Sequence, residues 1–339
     1  MPILACGFEA GDTDYYLKLG WSPGAAIGGH FVHKDANGFG GSYAANSVST
    51  TNPLITPKIA DSANTRWFHF WMSRGDTTTW ANGCPISFFS GNEIQFTVRI
   101  QDDGSIQLRR GAVTGTLVAT SAGNLDMAVG HWFAVEMTIA NAGGICNVYV
   151  DDGALFVGFT GDTQNFNTQI ALTGNWDSVS MGATPGCNAW FDDLIVTNVT
   201  DGQITETYGR QQLLTSDAAT GLTPSTGTNN WSNVLDFDLS RYNAGTTATT
   251  QDLYGAEGNL VLGVVDWVSL RVLVASQNGF EMQTALKSGS TTDYGTLRSG
   301  GPSDYDGHSV VYYTTDPDTA VAWTASGVNA LQAGVRTGT

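Results

Sequence analysis

The sequence contains few basic residues. Lys and Arg number 14 against 31 Asp and Glu, so the formal net charge of the 339-residue chain is −17. Proteins that bind nucleic acid neutralise phosphates with clustered Lys and Arg side chains. We therefore expect no nucleic-acid partner.

Long apolar runs are also missing. A membrane-spanning helix needs about 20 consecutive apolar residues, whereas polar residues or Gly interrupt every hydrophobic stretch of this chain. The opening MPILACGFEA has no basic segment followed by an apolar one, the pattern of a secretory signal. The sequence predicts no membrane insertion and synthesis in a cytoplasm without the usual export signal.

Cysteine is scarce and widely spaced. The four residues Cys6, Cys84, Cys146 and Cys187 form no C-x-x-C pair, and no His cluster accompanies them. Structural zinc sites require such clustered ligands, so the spacing excludes that class of site. We expect buried free thiols, and the spacing leaves a disulfide open.

Aromatic residues and glycine are abundant instead. The chain has 10 Trp, 11 Tyr, 15 Phe and 42 Gly, while charged residues are only 13% of it. Disordered acidic chains are poor in aromatic and β-branched residues, so this composition indicates a folded all-β protein with many turns. The length favours two domains.

Alternating apolar and polar residues predict antiparallel strands joined by tight turns. The segments Arg66–Met72 and Glu93–Ile100 show the period of two expected of strands. Turns containing Asp and Gly follow at Asp102–Ser105 and Asp151–Gly153, which predicts two hairpins. Further strands are predicted at Ile86–Phe89, Ile106–Arg109, Trp132–Ile139, Ile145–Val150, Ala154–Phe159 and Trp190–Val196.

The patterns divide the chain into three parts. No helical period appears before Thr205, so residues 1–205 are predicted to form an antiparallel β-sandwich. Residues 206–230 are predicted to be a linker, because SDAATGLTPSTGTNN has few large apolar residues. Residues 231–339 are predicted to form a smaller β-sandwich or barrel with a short C-terminal helix, capped by Thr324 and ended by Gly334. Its predicted strands are Trp231–Leu239, Asp266–Ala275, Phe280–Leu286 and Val310–Thr314.

No catalytic pattern is found, and the chain is predicted not to be an enzyme. It has no E-x-D-x-x-E strand and no G-x-S-x-G segment, and its pairs Asp102-Asp103 and Asp151-Asp152 fall at turns. Asp192-Asp193 lies inside a strand, where only one of two neighbours points into the sandwich. We expect it to form structural hydrogen bonds, with metal ligation as the alternative. Structural roles are expected for His30, His33, His69, His131 and His308.

One turn has part of a calcium-loop pattern. Asp304-Tyr305-Asp306-Gly307 supplies carboxylates, but no Glu closes a twelve-residue loop. We expect no cofactor, and a structural calcium ion at this turn is left open.

One loop carries a candidate glycan site. The segment SRGDTTTWANG joins two strands and places Trp80 near Trp71, Asp76 and Asn82. Sugars stack on aromatic rings while their hydroxyls bond to neighbouring polar groups. These four residues are the candidate glycan-binding set; the alternative is that Trp80 packs on the rim of the sheet. Trp176, in GNWD, has the same two interpretations.

Two segments of the first half resemble the concanavalin A-like, laminin-G-like sandwich family. They are GHWFAVEMTIANAGGICNVYVDDGALFVGF and WFDDLIVTN, and the resemblance covers about residues 5 to 200. It implies a jelly-roll, concanavalin A-like sandwich of the kind found in lectins, adhesion modules and spacers. Some members of the family bind calcium, but no ligand set can be transferred to this sequence.

The C-terminal part resembles a module of tailed-bacteriophage virion proteins. The segments that carry the resemblance are LTPSTGTNNWSNVLD, LKSGSTTDYGTL and YYTTDPDTAVAWTASGVNALQAGV, within residues 222 to 339. The family has Glu where Ser326 or Gln332 stands. The opening CGFEAGDTDYY is similar to the start of phage-encoded sandwich proteins.

This second resemblance implies a non-enzymatic structural protein on the outer surface of a virion. Such a protein is synthesised in the host cytoplasm and serves as a tail or baseplate component or as a head decoration. We expect other virion proteins as partners and a symmetric homo-oligomer, with a trimer favoured. The alternative is a lectin-like receptor-binding protein that recognises host surface polysaccharide.

Overall fold

The chain folds as two compact units, Pro2–Arg210 and Gln211–Thr339, called here the N-terminal and C-terminal units. Both are built from antiparallel strands. The computed structural model describes residues 2–6, 30–34, 43–47, 53–59, 63–75, 80, 82–123, 125–151, 160–161, 164–170, 175–182, 187–204, 214–234, 242–257, 264–274, 281–297 and 307–338.

The N-terminal unit contains two large antiparallel sheets. Its strands are β1 (Pro2–Cys6), β2 (His30–Lys34), β3 (Tyr43–Ser47), β4 (Leu54–Ile55), β5 (Thr65–Arg74), β6 (Cys84–Ser90), β7 (Glu93–Ile100), β8 (Ile106–Arg110), β9 (Thr116–Thr120), β10 (His131–Thr138), β11 (Gly144–Val150), β12 (Thr160–Gly161), β13 (Gln164–Phe166), β14 (Ser178–Met181) and β15 (Ala189–Asn198). The eight-stranded sheet has the order β13-β11-β10-β5-β15-β3-β2, with β1 also paired to β15. The seven-stranded sheet has the order β12-β9-β8-β7-β6-β14-β4.

Aromatic side chains join the two sheets into a sandwich. Phe68 of the eight-stranded sheet meets Phe88 of the seven-stranded sheet edge to face, with ring centroids 6.2 Å apart. Phe96 and Phe166 make a second contact at 5.7 Å. Offset and edge-to-face contacts of this kind add to the stabilisation from apolar burial. The predicted antiparallel β-sandwich is therefore confirmed.

Strand β5 is buried on both faces. Phe68 and Phe70 face the sandwich core, while Trp67 and His69 are buried on the other side of the sheet. The segment after β15 contributes to this second layer, because the backbone N–H of Ile204 donates to His69 Nε2 at 3.1 Å. This strand is therefore a central structural element of the unit.

The predicted hairpin between β7 and β8 is confirmed. The two strands pair from Phe96 with Arg110 to Ile100 with Ile106. Gly104 in the turn has φ of +74°, a conformation that L side chains rarely adopt. The second predicted turn begins at Asp151, which has φ of +53°. Its remainder and the predicted strand Ala154–Phe159 lie outside the described residues.

The C-terminal unit packs an open five-stranded sheet against a smaller layer. Its strands are β16 (Leu214–Ala219), β17 (Thr223–Pro224), β18 (Asn243–Ala244), β19 (Gln251–Ala256), β20 (Val268–Val274), β21 (Met282–Ser288), β22 (Thr291–Tyr294), β23 (Gly307–Tyr313) and β24 (Gln332–Thr337), and its helix is α1 (Ala325–Asn329). The sheet order β16-β19-β24-β21-β22 leaves β16 and β22 at its edges, so the described strands form no closed barrel. Leu286 of β21 packs with Tyr313, Trp323, Val328 and Leu331 in one apolar core.

The predicted linker is wrong for most of its length. The chain divides at Arg210, and β16 pairs with β19 inside the C-terminal unit. The polar residues of this segment are held by side-chain hydrogen bonds: Asp217 accepts from the backbone N–H groups of Asn230 and Trp231 at 3.1 and 2.7 Å. The segment has few apolar residues because hydrogen bonds between polar groups hold it in place.

Three other local predictions have mixed outcomes. Thr324 caps α1 as predicted, since its Oγ1 accepts from the Gly327 backbone N–H at 3.0 Å. Gly334 does not end the helix; it lies within β24. Trp231–Asn233 forms a 3-10 turn instead of the predicted strand, and the predicted continuation to Leu239 lies mostly outside the described residues.

Candidate functional site

The structure does not present the predicted glycan-binding set as an exposed surface. The side chains of Trp71 and Trp80 are 6% and 2% exposed. Asn82 is exposed, and Asp76 lies outside the described residues. Because a sugar ring can stack only on an accessible aromatic face, the role predicted for the two tryptophans is wrong.

Hydrogen bonds hold Trp80 against the rim of the sheet, the alternative interpretation of this residue. Its indole N–H donates to the Asn188 carbonyl at 3.0 Å, and its backbone N–H donates to Asp102 Oδ1 at 3.1 Å. The same carboxylate oxygen accepts from Arg74 Nη1 at 3.0 Å. Asp102 therefore connects the turn after β7 to the end of β5 and to the Trp80 backbone.

Trp71 and Trp176 are buried for different reasons. A Cβ at Gly130 would lie 2.0 Å from the Trp71 ring, so the absence of a side chain at residue 130 lets the indole pack there. Trp176 is fully buried, contacts Phe88 edge to face, and lies under the Arg66 guanidinium at 5.1 Å. Packing therefore accounts for both indoles.

Trp80→Phe is expected to lower the free energy of unfolding by about 1–2 kcal/mol, because phenylalanine keeps most of the buried ring but loses the donor to Asn188. Urea denaturation of the full chain measures the change. Binding of a neutral or acidic oligosaccharide is expected to stay unchanged in the variant. A selective loss of glycan binding with unchanged stability would contradict the packing role.

Carboxylates in the N-terminal unit hold loops in place. Asp151 accepts from the Trp132 backbone N–H at 3.0 Å and contacts His131 Nδ1 at 2.7 Å. Asp177 accepts from Lys58 Nζ at 2.7 Å and from the Gly91 backbone N–H at 3.0 Å.

The predicted turn-forming role of the Asp102-Asp103 pair is also found. Asp103 accepts from the Ser105 backbone N–H at 2.9 Å. Hydrogen bonds from the side chain and the backbone of Ser105 lower the pKa of Asp103. With Asp102 bound to Arg74 and Trp80, both carboxylates of the pair stabilise the rim of the sandwich.

The neighbouring Asp192 and Asp193 are both buried, at 0% and 3% exposure. A β-bulge between Asp192 and Ile195 breaks the strand alternation from which one inward side chain was predicted. Asp193 has φ of +47°, and its backbone N–H donates to Asp192 Oδ1 at 2.8 Å. The predicted structural hydrogen bonding is thus found.

Metal ligands are not grouped in the part of the chain that the structure describes. No set of three or more His, Cys, Asp or Glu there could hold a metal ion. The turn Asp304–Asp306, where a structural calcium ion was left open, lies outside that part.

His69 is a buried, uncharged histidine. Its ring lies between Trp67 and Trp132, with centroids at 5.9 and 6.3 Å. Burial lowers the pKa of His69 to about 4, against a smaller opposing effect of the Ile195 backbone carbonyl. The N–H of Ile204 donates to Nε2, which is consistent with the neutral ring. Structural roles are therefore found for His69 and His131, while the side chains of His30, His33 and His308 lie outside the described residues.

Three cysteines are buried and free, namely Cys84, Cys146 and Cys187. Burial, and in second place a hydrogen bond to Cys187, raises the pKa of the Cys84 thiol. Burial also raises the pKa of Cys146. The Cys84 and Cys146 thiols are therefore protonated at neutral pH and poor nucleophiles. The side chain of Cys6 lies outside the described residues.

Comparison with known proteins yields similarities of fold only. The sequence matches no family model and no curated protein. Its structure is similar to the T. cruzi calreticulin globular domain, with 9% identity, coverage of 58% of this chain and 88% of that chain, and a TM-score of 0.34. Alginate lyase vAL-1 from Chlorella virus has 11% identity, coverage of 58% and 100%, and a TM-score of 0.37.

The Caenorhabditis elegans galectin LEC-6 is also similar, with 12% identity, coverage of 52% of this chain and 100% of that chain, and a TM-score of 0.29. The similar structures thus include an enzyme and a galectin. With TM-scores below 0.5 they carry no functional argument. The all-β, antiparallel architecture rests on the strand pairing itself.

Two groups of interacting residues are not predicted by any pattern in the sequence. The buried Asp252 accepts hydrogen bonds from residues up to 31 positions away, and Tyr294 contacts Arg336 across the five-stranded sheet. Of Asp252, Tyr294 and Arg336, only Tyr294 lies in one of the segments that resemble the virion module, LKSGSTTDYGTL. No local motif marks either group, because strand pairing brings the partners together.

No helix in the described part of the chain is long and apolar enough to cross a membrane.

Proposed function

We propose that the protein is a non-enzymatic structural component exposed on the surface of a bacteriophage virion, as a tail or baseplate component or as a head decoration. The phage context of this proposal comes from the sequence resemblance of residues 222–339. The structural role is supported by the way in which the N-terminal unit uses its polar side chains.

The observation that carries the structural role is the use of carboxylates as loop anchors. Asp102, Asp151 and Asp177 each bind a backbone N–H together with a basic side chain. A general acid or base needs a carboxyl group that can reach a substrate proton, whereas these groups are engaged in fixing loops. Such an arrangement suits a rigid scaffold that holds loops outward.

The overall charge fits a particle surface. A net charge of −17 keeps a protein soluble at high local concentration and repels bare DNA. Within this proposal the partners are other virion proteins, the assembly is a symmetric homo-oligomer, for which we favour a trimer, and synthesis takes place in the host cytoplasm. Because Trp71 and Trp80 are buried, they play no part in any adhesion to host polysaccharide.

Particle composition tests the proposal. Phage particles from the source are purified on a density gradient, and the chain is quantified by mass spectrometry against the major coat protein. We expect a fixed copy ratio across gradient fractions and antibody labelling of intact particles. A chain that stays in the soluble lysate, with no copies in the particle band, would refute the virion role.

A second assay tests the absence of catalysis. Purified full-length protein is incubated with host surface polysaccharide, and new reducing ends or unsaturated ends are measured over time. We expect no release above that of a heat-inactivated sample. Time-dependent release proportional to protein concentration would overturn the non-enzymatic proposal.

A further inference from the structure

The five-stranded sheet of the C-terminal unit has one face toward an apolar core and a second face that carries a row of polar side chains, called here the polar face. Leu286 lies on the face that packs against the core. Directly paired residues share a face of a sheet, so the register places a row of polar side chains on the other face: Gln251 pairs with Arg336, and Arg336 pairs with Gln283. All three side chains are partly exposed.

The next row of this face contains the buried Leu253, two small residues and one aromatic ring. Gly334 pairs with Ala285, and Ala285 pairs with Tyr294 on the edge strand. The Tyr294 hydroxyl donates to Gln251 Oε1 at 2.8 Å, although Gln251 belongs to β19 on the far side of β21 and β24. The phenol ring therefore extends inward across the sheet.

Arg336 holds the ring in this position. Its guanidinium carbon lies 4.7 Å from the centroid of the Tyr294 ring, within the range of a cation–π contact. Tyr294 nevertheless remains 38% exposed. The result is an aromatic platform, fixed at its hydroxyl by Gln251 and at one face by Arg336, on a residue that stays partly exposed to solvent.

Part of the hydrogen-bonding capacity around the platform is unused. Among the described residues, Arg336 makes no ion pair and no hydrogen bond in addition to its ring contact, and the amide of Gln283 has no partner. Lys287, paired with Gln332 in the next row of the same face, likewise has no acidic partner there. Two cationic groups and two amides, those of Gln251 and Gln283, thus lie in the rows on either side of the row that contains Tyr294.

We propose that this polar face, defined by Gln251, Gln283, Lys287, Tyr294 and Arg336, binds an acidic polysaccharide. A sugar ring presents C–H groups that stack on an aromatic face, and its hydroxyls bond to amides. A sugar carboxylate matches the planar donor array of an arginine and the charge of a lysine. Arg336 and Lys287, two partly exposed cations on a strongly acidic chain, supply the positive charge that a sugar carboxylate requires.

This inference goes beyond the structural role proposed above and is tested separately from it. Binding is measured by calorimetry on the purified full chain, so the result does not depend on whether the chain is found in particles. The probes are tetragalacturonate and a linear sialic acid trimer, with fully methyl-esterified tetragalacturonate as the uncharged comparison and tetraglutamate as the acidic peptide comparison.

Substitutions on the face separate stacking from charge recognition. Tyr294→Ala is expected to weaken binding of the acidic sugar at least about tenfold, through loss of the stacking surface. Arg336→Gln is expected to weaken binding of the acidic sugar by at least about tenfold and to have a smaller effect on binding of the methyl ester. Tyr294→Phe keeps the ring and is expected to change the affinity less than about threefold.

Tyr242→Ala is the matched control, because Tyr242 is a tyrosine of the same unit with 48% exposure and lies outside the five-stranded sheet. We expect this variant to bind like the wild type, and circular dichroism checks that every variant is folded. Three outcomes would each overturn the proposal: no binding of either acidic sugar at millimolar concentration, equal binding of tetraglutamate, or affinity that neither Tyr294→Ala nor Arg336→Gln changes.

Discussion

Asp252→Ala is expected to destabilise the C-terminal unit by about 3–5 kcal/mol, a large part of the stability of a typical domain. Asp252 is fully buried in β19. Its Oδ1 accepts from the backbone N–H groups of Gly221 and Leu222 at 2.7 and 2.8 Å. Its Oδ2 accepts from Asn230 Nδ2 at 2.7 Å and from the Tyr254 hydroxyl at 2.9 Å.

The size of this effect follows from what the substitution leaves behind. Alanine removes the common acceptor but leaves these donors in place, and buried donors without partners carry a desolvation cost of about 1–3 kcal/mol each before relaxation. Burial, and next the Asp252 carboxylate, raises the pKa of Tyr254, so its hydroxyl remains a donor at neutral pH.

Hydrogen–deuterium exchange on the full chain tests this prediction, because it measures the protection of backbone amides. Amides of residues 214–257 are expected to lose protection in Asp252→Ala, while those of β5 and β10 in the N-terminal unit stay unchanged. Asp318→Ala is the control, since Asp318 accepts from Ser290 and Thr291 at the surface of the same unit. Equal effects of the two substitutions would contradict the central role of Asp252.

Acidification is expected to weaken the N-terminal unit through His69. The folded pKa of about 4 lies below the ordinary value of 6.5 because burial disfavours the charged ring. Above pH 6.5 the ring is neutral in both the folded and the unfolded chain, so it does not lower the free energy of unfolding. Between pH 6.5 and 4 the unfolded chain binds a proton that the folded chain does not. The free energy of unfolding therefore decreases as the pH is lowered, by about 3 kcal/mol in total.

His69→Gln isolates this effect. A glutamine oxygen can still accept from the Ile204 N–H, but the side chain does not titrate. Urea denaturation at intervals from pH 8 to pH 4 is expected to give parallel curves above pH 7 and a steeper loss for the wild type below pH 6.5. If both proteins lost the same stability across that range, His69 would not be the group responsible.

Local patterns predicted the strands of the sandwich and the turn after β7, because each depends on neighbouring residues. Alternation from Glu93 to Ile100 and the glycine at residue 104 specify a strand and a tight turn without long-range partners. The cap at Thr324 was predictable for the same reason. The glycine at residue 334 was misread because its strand pairing with Leu253 is invisible in the local sequence.

Burial of polar and aromatic residues was harder to predict. Trp80 looked exposed because polar residues flank it, yet its partners Asp102 and Asn188 are distant in sequence. The segment before Asn230 looked like a linker because the carboxylate that anchors it, Asp252, lies further along the chain. In each case hydrogen bonds between residues far apart in sequence hold the segment in place, and local sequence patterns, which depend on apolar residues, do not indicate such bonds.

The polar face of the C-terminal sheet shows the same limit. Tyr294, Arg336 and Gln251 belong to three different strands, and their grouping follows from strand order and register. Neither feature could be read from the alternation within any one strand.

Electron cryo-microscopy of intact particles from the source tests the central claim most directly. The account predicts density on the outside of the tail, the baseplate or the head into which the two β units fit individually, at a copy number set by particle symmetry. Particles whose complete surface density is assigned to other chains, with none left for this protein, would contradict the account.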